Sequence, residues 1–525
     1  MRKPGSVCRN MMWPPWRQGQ RPPEWVHFGI GNIFRIFLGS VADDLIGSGE
    51  MDTGITCLET FDFDVVDRIY RPYDNLALCV TLHSDGSVDK RVVGSLAEAV
   101  AVRPQDDQAR QRVKEIFCGP SLQMVSFTIT EKGYELRDRE GKYFSFIEKE
   151  LQAGPDAPLS SAMTLVTSML KARFETGAYP LALVSMDNVS QNGKKLRASV
   201  LEVASVWKEE GFLSEEAFAY ISDENKVSFP WTMIDKITPR PDESVRDMLS
   251  EDGMEDMDII VTDRRTYIAP FVNAEGPQYL VVEDHFPNGR PPLEKAGIYM
   301  ADRDTVNASE RMKVTVCLNP VHSALGPYGV VLGIDKFYEV MRDPQLHKLA
   351  ELVGPTEGMA VVIDPEILSP EAFMKELMEE RFPNPYIHDT SQCLCTDISQ
   401  GLSVRFGVTI RAYKDRDGDA GRLLGVPLAI AGWLRYLLGE TDEGEHYELA
   451  PDPLNGILQK ELKEKGVEIG RPETLTDQLR PILSNETIFG IDLYEAGIGE
   501  KIEGLFREEI SGYGMVRKTL EKYMK

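Results

Sequence analysis

Glu310-Arg-Met-Lys313-Val-Thr-Val-Cys-Leu-Asn319-Pro-Val-His322 puts a lysine, an asparagine and a histidine into one short, otherwise apolar segment. A general base, an amide donor and an imidazole are the parts needed to take a proton from an alcohol and hold the oxyanion that forms. Asn319 and His322 stand three apart, so on a helix they share a face. The same residues would serve equally as satisfied polar groups of a buried helix, with Lys313 snorkelling. The rest of the chain decides between these uses.

A second group of residues points to a dinucleotide. Gly29-Ile-Gly31-Asn32 follows a short apolar stretch and opens a helical pattern, the context in which glycines cradle a pyrophosphate. Gly29 would permit the tight turn, and Gly31 would let the backbone approach phosphates at a helix N-terminus. The third glycine of the common fingerprint is absent, and Phe34 stands there. The next apolar stretch stops at an acidic cluster containing Glu59, Asp62 and Asp64. Just past that strand, Glu59 can accept hydrogen bonds from an adenosine ribose and repel a 2′-phosphate, which favours NAD over NADP. Asp62 or Asp64 takes the role if the strand ends later.

These residues need a scaffold, and hydropathy outlines one. Strands are expected at 25–31, 54–58, 76–82, 123–129 and 181–186, with helices over 32–45, 108–117 and 160–176. Strands alternating with helices imply βαβ units and a largely parallel sheet. After the Asn288-Gly-Arg-Pro-Pro292 turn, long amphipathic segments dominate: 313–331, 370–381, 424–438, 457–465 and 502–525. The expected architecture is α/β. It has an extension over 1–24, a Rossmann-like dinucleotide-binding domain over 25–299 and a mostly α-helical domain over 300–525, with the active site in the cleft between the domains.

Bulk composition narrows the partners. A chain of 525 residues exceeds what one hydrophobic core usually serves, and 42% hydrophobic with 27% charged residues is ordinary for a globular protein. The net charge of −26 argues against nucleic acid and against anionic membranes, both of which attract basic patches. No apolar run is long enough to span a bilayer, since 404–432 is interrupted by Arg411, Lys414 and an acidic cluster. The extension carries Trp13 and Trp16 but no apolar core of a signal peptide. Seven scattered cysteines, an odd number, fit reduced thiols in the cytoplasm. Cys393-Leu-Cys395 lacks the two-residue gap of a zinc pair. Lys414-Asp-Arg-Asp-Gly-Asp419 lacks the closing glutamate of a calcium loop, with Val426 at that position, and reads as a solvated turn.

In order along the chain come His27-Phe-Gly-Ile-Gly-Asn32, Val125-Ser-Phe-Thr-Ile-Thr-Glu131-Lys-Gly-Tyr134 and Ser185-Met-Asp187-Asn188-Val-Ser-Gln-Asn192-Gly193. Val227-Ser-Phe-Pro-Trp-Thr-Met-Ile-Asp235-Lys-Ile-Thr-Pro239, Asn288-Gly-Arg-Pro, the 313–322 segment and 429–438 with Pro451-Asp-Pro453 follow. Together they resemble the polyol-specific long-chain dehydrogenase/reductase family, which includes mannitol 2-dehydrogenase, mannitol-1-phosphate 5-dehydrogenase, and the fructuronate and tagaturonate reductases. The resemblance runs from about residue 26 to the C-terminus. It implies metal-independent oxidoreduction with NAD on a sugar alcohol, aldonate or keto-uronate. By motif position, Lys313 is the base, Asn188 and Asn319 donate to the developing oxyanion, and His322 orients a neighbouring hydroxyl. Glu310 matches a glutamate linked to proton exchange with solvent. Asp235 matches a further active-site position, grouped with Gly29, Gly31, Asn32 and Glu59 on the cofactor side. A lysine acting as base must be neutral, which burial favours. The sequence carries no signal for an oligomeric state.

Three departures set this chain apart. Between Lys313 and Asn319 it has one residue more than the mannitol dehydrogenase pattern, which on a regular helix swings the lysine about 100° from the Asn/His face. A π-bulge within 315–318 is expected to absorb it. Phe34, Phe37 and Leu38 follow the glycine turn where mannitol dehydrogenases carry polar residues, and the Gly29-Ile-Gly31-Asn32-Ile33 start is nearer to the phosphate-polyol and uronate branches. Cys393 and Gly401 stand where the family places a substrate-contacting arginine and lysine; a uronate carboxylate wants a bidentate arginine, and Arg405 and Arg411 are nearby. Two readings lead, beside a third, an NAD-dependent enzyme of different chemistry such as epimerisation, which predicts no net NADH production with any polyol. One is an NAD-dependent enzyme interconverting a secondary alcohol and a ketone. The other, prompted by the altered spacing and the missing arginine, is a non-catalytic NAD-binding paralogue acting as sensor or subunit; retention of Asn188, Asn319 and His322 counts against it.

Overall fold

The computed structural model describes residues 22–525, so Trp13, Trp16 and most of the expected extension lie outside the described residues. The chain divides into two compact units, Met1–Asn307 and Ala308–Lys525.

In the first unit six strands form one parallel sheet. They are β1 (Trp25–Phe28), β2 (Ile55–Glu59), β3 (Leu96–Ala101), β4 (Met124–Phe127), β5 (Leu181–Ser185) and β6 (Val227–Ser228), in the order β3-β2-β1-β4-β5-β6. Every pairing in it is parallel. This is the doubly wound order of dinucleotide-binding folds, which reverses between β1 and β4 and opens a crevice at the carboxyl ends of the strands there. Strands covered on both faces read as continuous apolar runs, and β1, β4 and β5 are buried at every residue. Successive side chains of β1 enter opposite cores. Trp25 joins Phe34 and the helix α1 (Gly39–Gly47) on one face. Val26 and Phe28 join α2 (Asp107–Cys118), α3 (Ala162–Thr176) and α4 (Asn192–Glu209) on the other.

The expected strand at 76–82 exists as Ala77–Leu82 but lies outside this sheet. It pairs antiparallel with Val88–Val93 and parallel with Phe271–Glu275 in a separate three-stranded sheet. The place beside β2 goes instead to β3, whose Leu-Ala-Glu-Ala-Val-Ala sequence is a weak strand signal. Its one charge, Glu98, is met by Arg112 of α2 through Nε at 3.1 Å and Nη2 at 2.9 Å. A third sheet joins Thr232–Asp235 to Tyr279–Glu283 and Tyr299–Ala301.

The second unit is helical. The chain enters it through α5 (Arg303–Met312), followed by a π-turn over Lys313–Cys317 and by α6 (Asn319–Val331). Later come α7 (Ile398–Arg405), α8 (Gly425–Tyr436) and α9 (Gly499–Glu509). All twelve residues of α8 are buried, so α8 forms the centre of this unit. Tyr328 of α6 donates to the Leu428 carbonyl at 2.8 Å, and its ring takes the space a side chain at Gly432 would need, 2.4 Å from where that Cβ would sit. Gly326 and Gly329 let the 391–395 segment close onto α6; a Cβ at Gly329 would come within 2.1 Å of Ser391 Oγ. In turn, α7 packs against both α6 and the π-turn. Among the described residues no helix is long and apolar enough to cross a membrane.

Candidate active site

The glycine turn leaves β1 at the point where the sheet order reverses. Gly29 has φ +87°, and a Cβ there would fall 2.2 Å from the Thr128 carbonyl oxygen, so both dihedral and space demand glycine. Gly31 differs: nothing lies within 4 Å of where its Cβ would be. Free space over a bare backbone at the start of a helix fits a bound pyrophosphate. The expected helix over 32–45 begins with a widened turn, a π-helix over Phe34–Leu38 before α1. Phe34, standing in place of the third glycine, stacks on the His27 imidazole at 4.4 Å.

His27 ties β1 to β4 below this turn. Its Nδ1 bonds Ser126 Oγ at 2.7 Å, its Nε2 bonds Thr128 Oγ1 at 2.8 Å, and Trp25 Nε1 donates to the same Ser126 Oγ at 2.7 Å. Burial pushes the His27 pKa down to about 3, against a weaker opposing pull from the Gly29 carbonyl. The folded state therefore keeps the ring neutral while the unfolded chain takes up a proton below about pH 6.5. Stability from this residue is present at neutral pH and is lost as the pH falls below that point, at about 1.4 kcal/mol per pH unit. Between pH 7.5 and 5 the loss is roughly 2 kcal/mol. Denaturant melts at the two pH values check this: wild type should lose that much more than His27→Gln.

Glu59 is the last residue of β2 and is 7% exposed. Its Oε1 accepts from the backbone N–H of Phe61 at 2.8 Å and Asp62 at 3.1 Å, and its Oε2 from that of Ile30, within the glycine turn, at 3.4 Å. Burial raises its pKa and these three donors oppose the rise. The alternatives are used elsewhere. Asp62 accepts from Thr262 Oγ1 at 2.6 Å, and Asp64 forms an exposed ion pair with Arg68. Asn32 donates to the Pro239 carbonyl at 3.3 Å. Asp235 is buried at the end of its strand, opposite Tyr279. Lys236, the next residue, donates to the backbone carbonyls of Glu275 and Gly276.

Asn188 lies exposed just beyond the carboxyl end of β5. Its neighbours in the motif hold the loop. Asp187 accepts from the N–H of Ile129 at 2.9 Å, of Thr130 at 3.1 Å, and from the Tyr134 hydroxyl at 2.6 Å. Burial raises its pKa against those donors. Asn192 exchanges hydrogen bonds with Thr232, and Gly193 lets α4 approach Phe229 so closely that a Cβ would sit 2.6 Å from that carbonyl oxygen.

In the second unit the extra residue between Lys313 and Asn319 is accommodated by the π-turn. Leu318 N–H bonds the Lys313 carbonyl, five residues back, at 2.9 Å, and the helix breaks at Leu318 before α6 starts. Pro320 supplies the cause: it has no N–H for the Val316 carbonyl, and its ring opposes a continuous α-helix there. The π-turn lies at Lys313–Cys317, slightly ahead of the expected 315–318. Nine α-helical steps of about 100° would set Lys313 and His322 on opposite sides; absorbing one brings them to about 80°. Lys313 is 2% exposed. His322 is half-buried, edge-to-face with Phe337 at 4.9 Å and tilted against Phe382 at 5.1 Å. Glu310 is half-buried on α5.

Arg405 and Arg411 have different surroundings. Arg411 Nη1 donates to the Gly490 carbonyl at 2.9 Å and Nη2 to that of Ser403, which gives it a structural task. Arg405 Nη1 donates to Ser323 Oγ at 2.8 Å, one residue after His322. Ser323 is a partner that the sequence reading did not single out, because nothing in its spacing ties it to residue 405.

The chain was compared with known proteins. The profile described as the mannitol dehydrogenase Rossmann domain matches residues 23–295, and that of the mannitol dehydrogenase C-terminal domain matches 305–504. A D-mannonate oxidoreductase of Thermotoga maritima is 48% identical over 503 residues, covering 95% of this chain and 92% of the relative. Among solved structures, substrate-free D-sorbitol dehydrogenase superposes with a TM-score of 0.76 at 22% identity, covering 98% of this chain and 97% of that one. Pseudomonas fluorescens mannitol 2-dehydrogenase, in a ternary complex with NAD and D-mannitol, gives 0.67 at 24% identity, covering 97% and 96%.

Proposed function

The chain belongs to the mannitol dehydrogenase family, and on that footing we propose that it interconverts an aldonate, D-mannonate, and its keto-uronate, D-fructuronate. It is an NAD-dependent oxidoreductase that exchanges a secondary alcohol for a ketone on a sugar alcohol or sugar acid, which removes the non-catalytic reading. Identity to a D-mannonate oxidoreductase over nearly the whole chain supports the sugar-acid branch.

The observation that supports the catalytic reading is the π-turn over Lys313–Cys317, which absorbs the extra residue before Asn319 and turns Lys313 away from the side opposite His322. NAD, when bound, supplies the hydride acceptor. Lys313 takes the hydroxyl proton as the adjacent C–H bond breaks. Asn188 and Asn319 donate to the oxygen as it gains charge, where such donors count most. His322, its ring fixed by Phe337 and Phe382, orients a neighbouring hydroxyl. Glu310, one turn before Lys313, passes the proton to solvent. The six cysteines among the described residues are all free, which supports a reducing compartment such as the cytoplasm.

The test follows NADH absorbance with purified protein against D-mannonate, D-fructuronate, hexitols and hexitol phosphates. Turnover should concentrate on the sugar-acid pair. Turnover confined to hexitols or their phosphates would overturn the substrate assignment. Glu59 sets the cofactor choice, because a carboxylate so close to the glycine turn repels a 2′-phosphate. Glu59→Gln should lower the NAD-to-NADP preference by at least about tenfold, mainly through KM for NADP. Steady-state kinetics with both cofactors checks it.

A further inference from the structure

Gly401 stands where the family places a lysine, and the space its missing side chain leaves is filled by Arg405. A Cβ at Gly401 would lie 2.5 Å from Arg405 Nε, 2.8 Å from Cζ and 3.0 Å from Cδ. The guanidinium therefore lies over position 401, one helical turn back along α7, and a positive charge returns to the place where the lysine is missing. Its surroundings differ from those of the fully buried Arg173 and Arg435. Arg173 donates to five backbone carbonyls and Arg435 to two, although Arg435 Nε, like Nε and Nη2 of buried Arg35, meets no acceptor. Among the described residues the Arg405 side chain has one hydrogen-bond partner, the Ser323 hydroxyl, and no carboxylate faces it. Burial works against its charge without a compensating anion. Nε and Nη2 are left to donate along one edge of the guanidinium, the geometry that meets a carboxylate bidentately. The location is apt as well: Ser323 follows His322, and α7 packs on both α6 and the lysine-bearing π-turn.

Resting on the sugar-acid reading above, we propose that Arg405 binds the substrate's terminal carboxylate through Nε and Nη2, with Ser323 fixing the third corner of the guanidinium. Arg405 thereby replaces the arginine and lysine lost at Cys393 and Gly401 and makes the enzyme selective for aldonates over hexitols.

The test compares wild type, Arg405→Met and Arg405→Lys on D-mannonate and on D-mannitol, which has a hydroxymethyl group in place of the carboxylate. Arg405→Met should raise KM for D-mannonate about 100-fold with a much smaller change in kcat. The acid-to-hexitol ratio of kcat/KM should collapse by a similar factor. Arg405→Lys should recover part of the loss, and added guanidinium ion should rescue Arg405→Ala. NADH affinity and melting temperature serve as controls for a purely structural effect. Unchanged KM for D-mannonate in Arg405→Met, or equal losses on acid and hexitol without guanidinium rescue, would overturn the assignment. Wild type that oxidises hexitols but no aldonate would instead bring down the substrate reading.

Discussion

Lys313→Met should abolish turnover, by about 10³-fold or more in kcat, while NADH still binds with nearly wild-type affinity. A positioned base contributes roughly 10²–10⁴ in rate, and the larger end applies where water cannot substitute. Lys313 is 2% exposed, so water has poor access to replace it. Methionine keeps the length and apolar stem, which limits the cavity that Lys313→Ala would leave. Single-turnover kinetics with saturating NAD, alongside an NADH fluorescence titration, separates chemistry from binding. Small primary amines should restore part of the rate to Lys313→Ala. Comparable turnover in both variants would refute Lys313 as base and move attention to His322.

The glycine turn yields a paired result. Gly29→Ala should cost stability and cofactor together, because the new Cβ meets the Thr128 carbonyl at 2.2 Å on a residue with φ +87°. A strained dihedral costs about 1–3 kcal/mol and backbone overpacking adds to that, so a total of roughly 3–5 kcal/mol is expected. The NADH Kd should rise by at least about 100-fold as the turn is displaced. Gly31→Ala should behave differently: with ordinary φ and open space, the protein should melt as wild type does. Only its NADH affinity should fall, since the methyl group would occupy the space argued for the pyrophosphate. Thermal melts and fluorescence titrations on both variants check the pair. Wild-type affinity in Gly31→Ala would place the phosphates elsewhere.

Much of the cofactor half was legible because its signals are local. The apolar run of β1, the glycine dihedral at position 29 and the acid closing β2 each depend on a few adjacent residues. Strand partnership is not local. Ala77–Leu82 reads as a good strand, yet its partner Phe271–Glu275 lies nearly two hundred positions onward. The weaker Leu96–Ala101 takes the place beside β2 because α2 covers it and Arg112 neutralises Glu98. Propensity ranks a segment as a strand without saying which sheet will hold it.

The same division runs through the second unit. The sequence by itself determined the chemistry available: a lysine, two asparagines and a histidine in a known order, plus an extra residue that a straight α-helix would not tolerate. Pro320 even marks where the helix must yield, because a missing N–H acts on its own chain four residues back. What only the tertiary structure decided is which arginine is left with donors to spare. Arg405 and Arg411 are six residues apart and chemically identical. The Gly490 and Ser403 carbonyls satisfy one, while the other reaches only Ser323, eighty-two positions away. A side chain's unmet hydrogen bonds depend on what folding brings beside it, and no local pattern of residues encodes that.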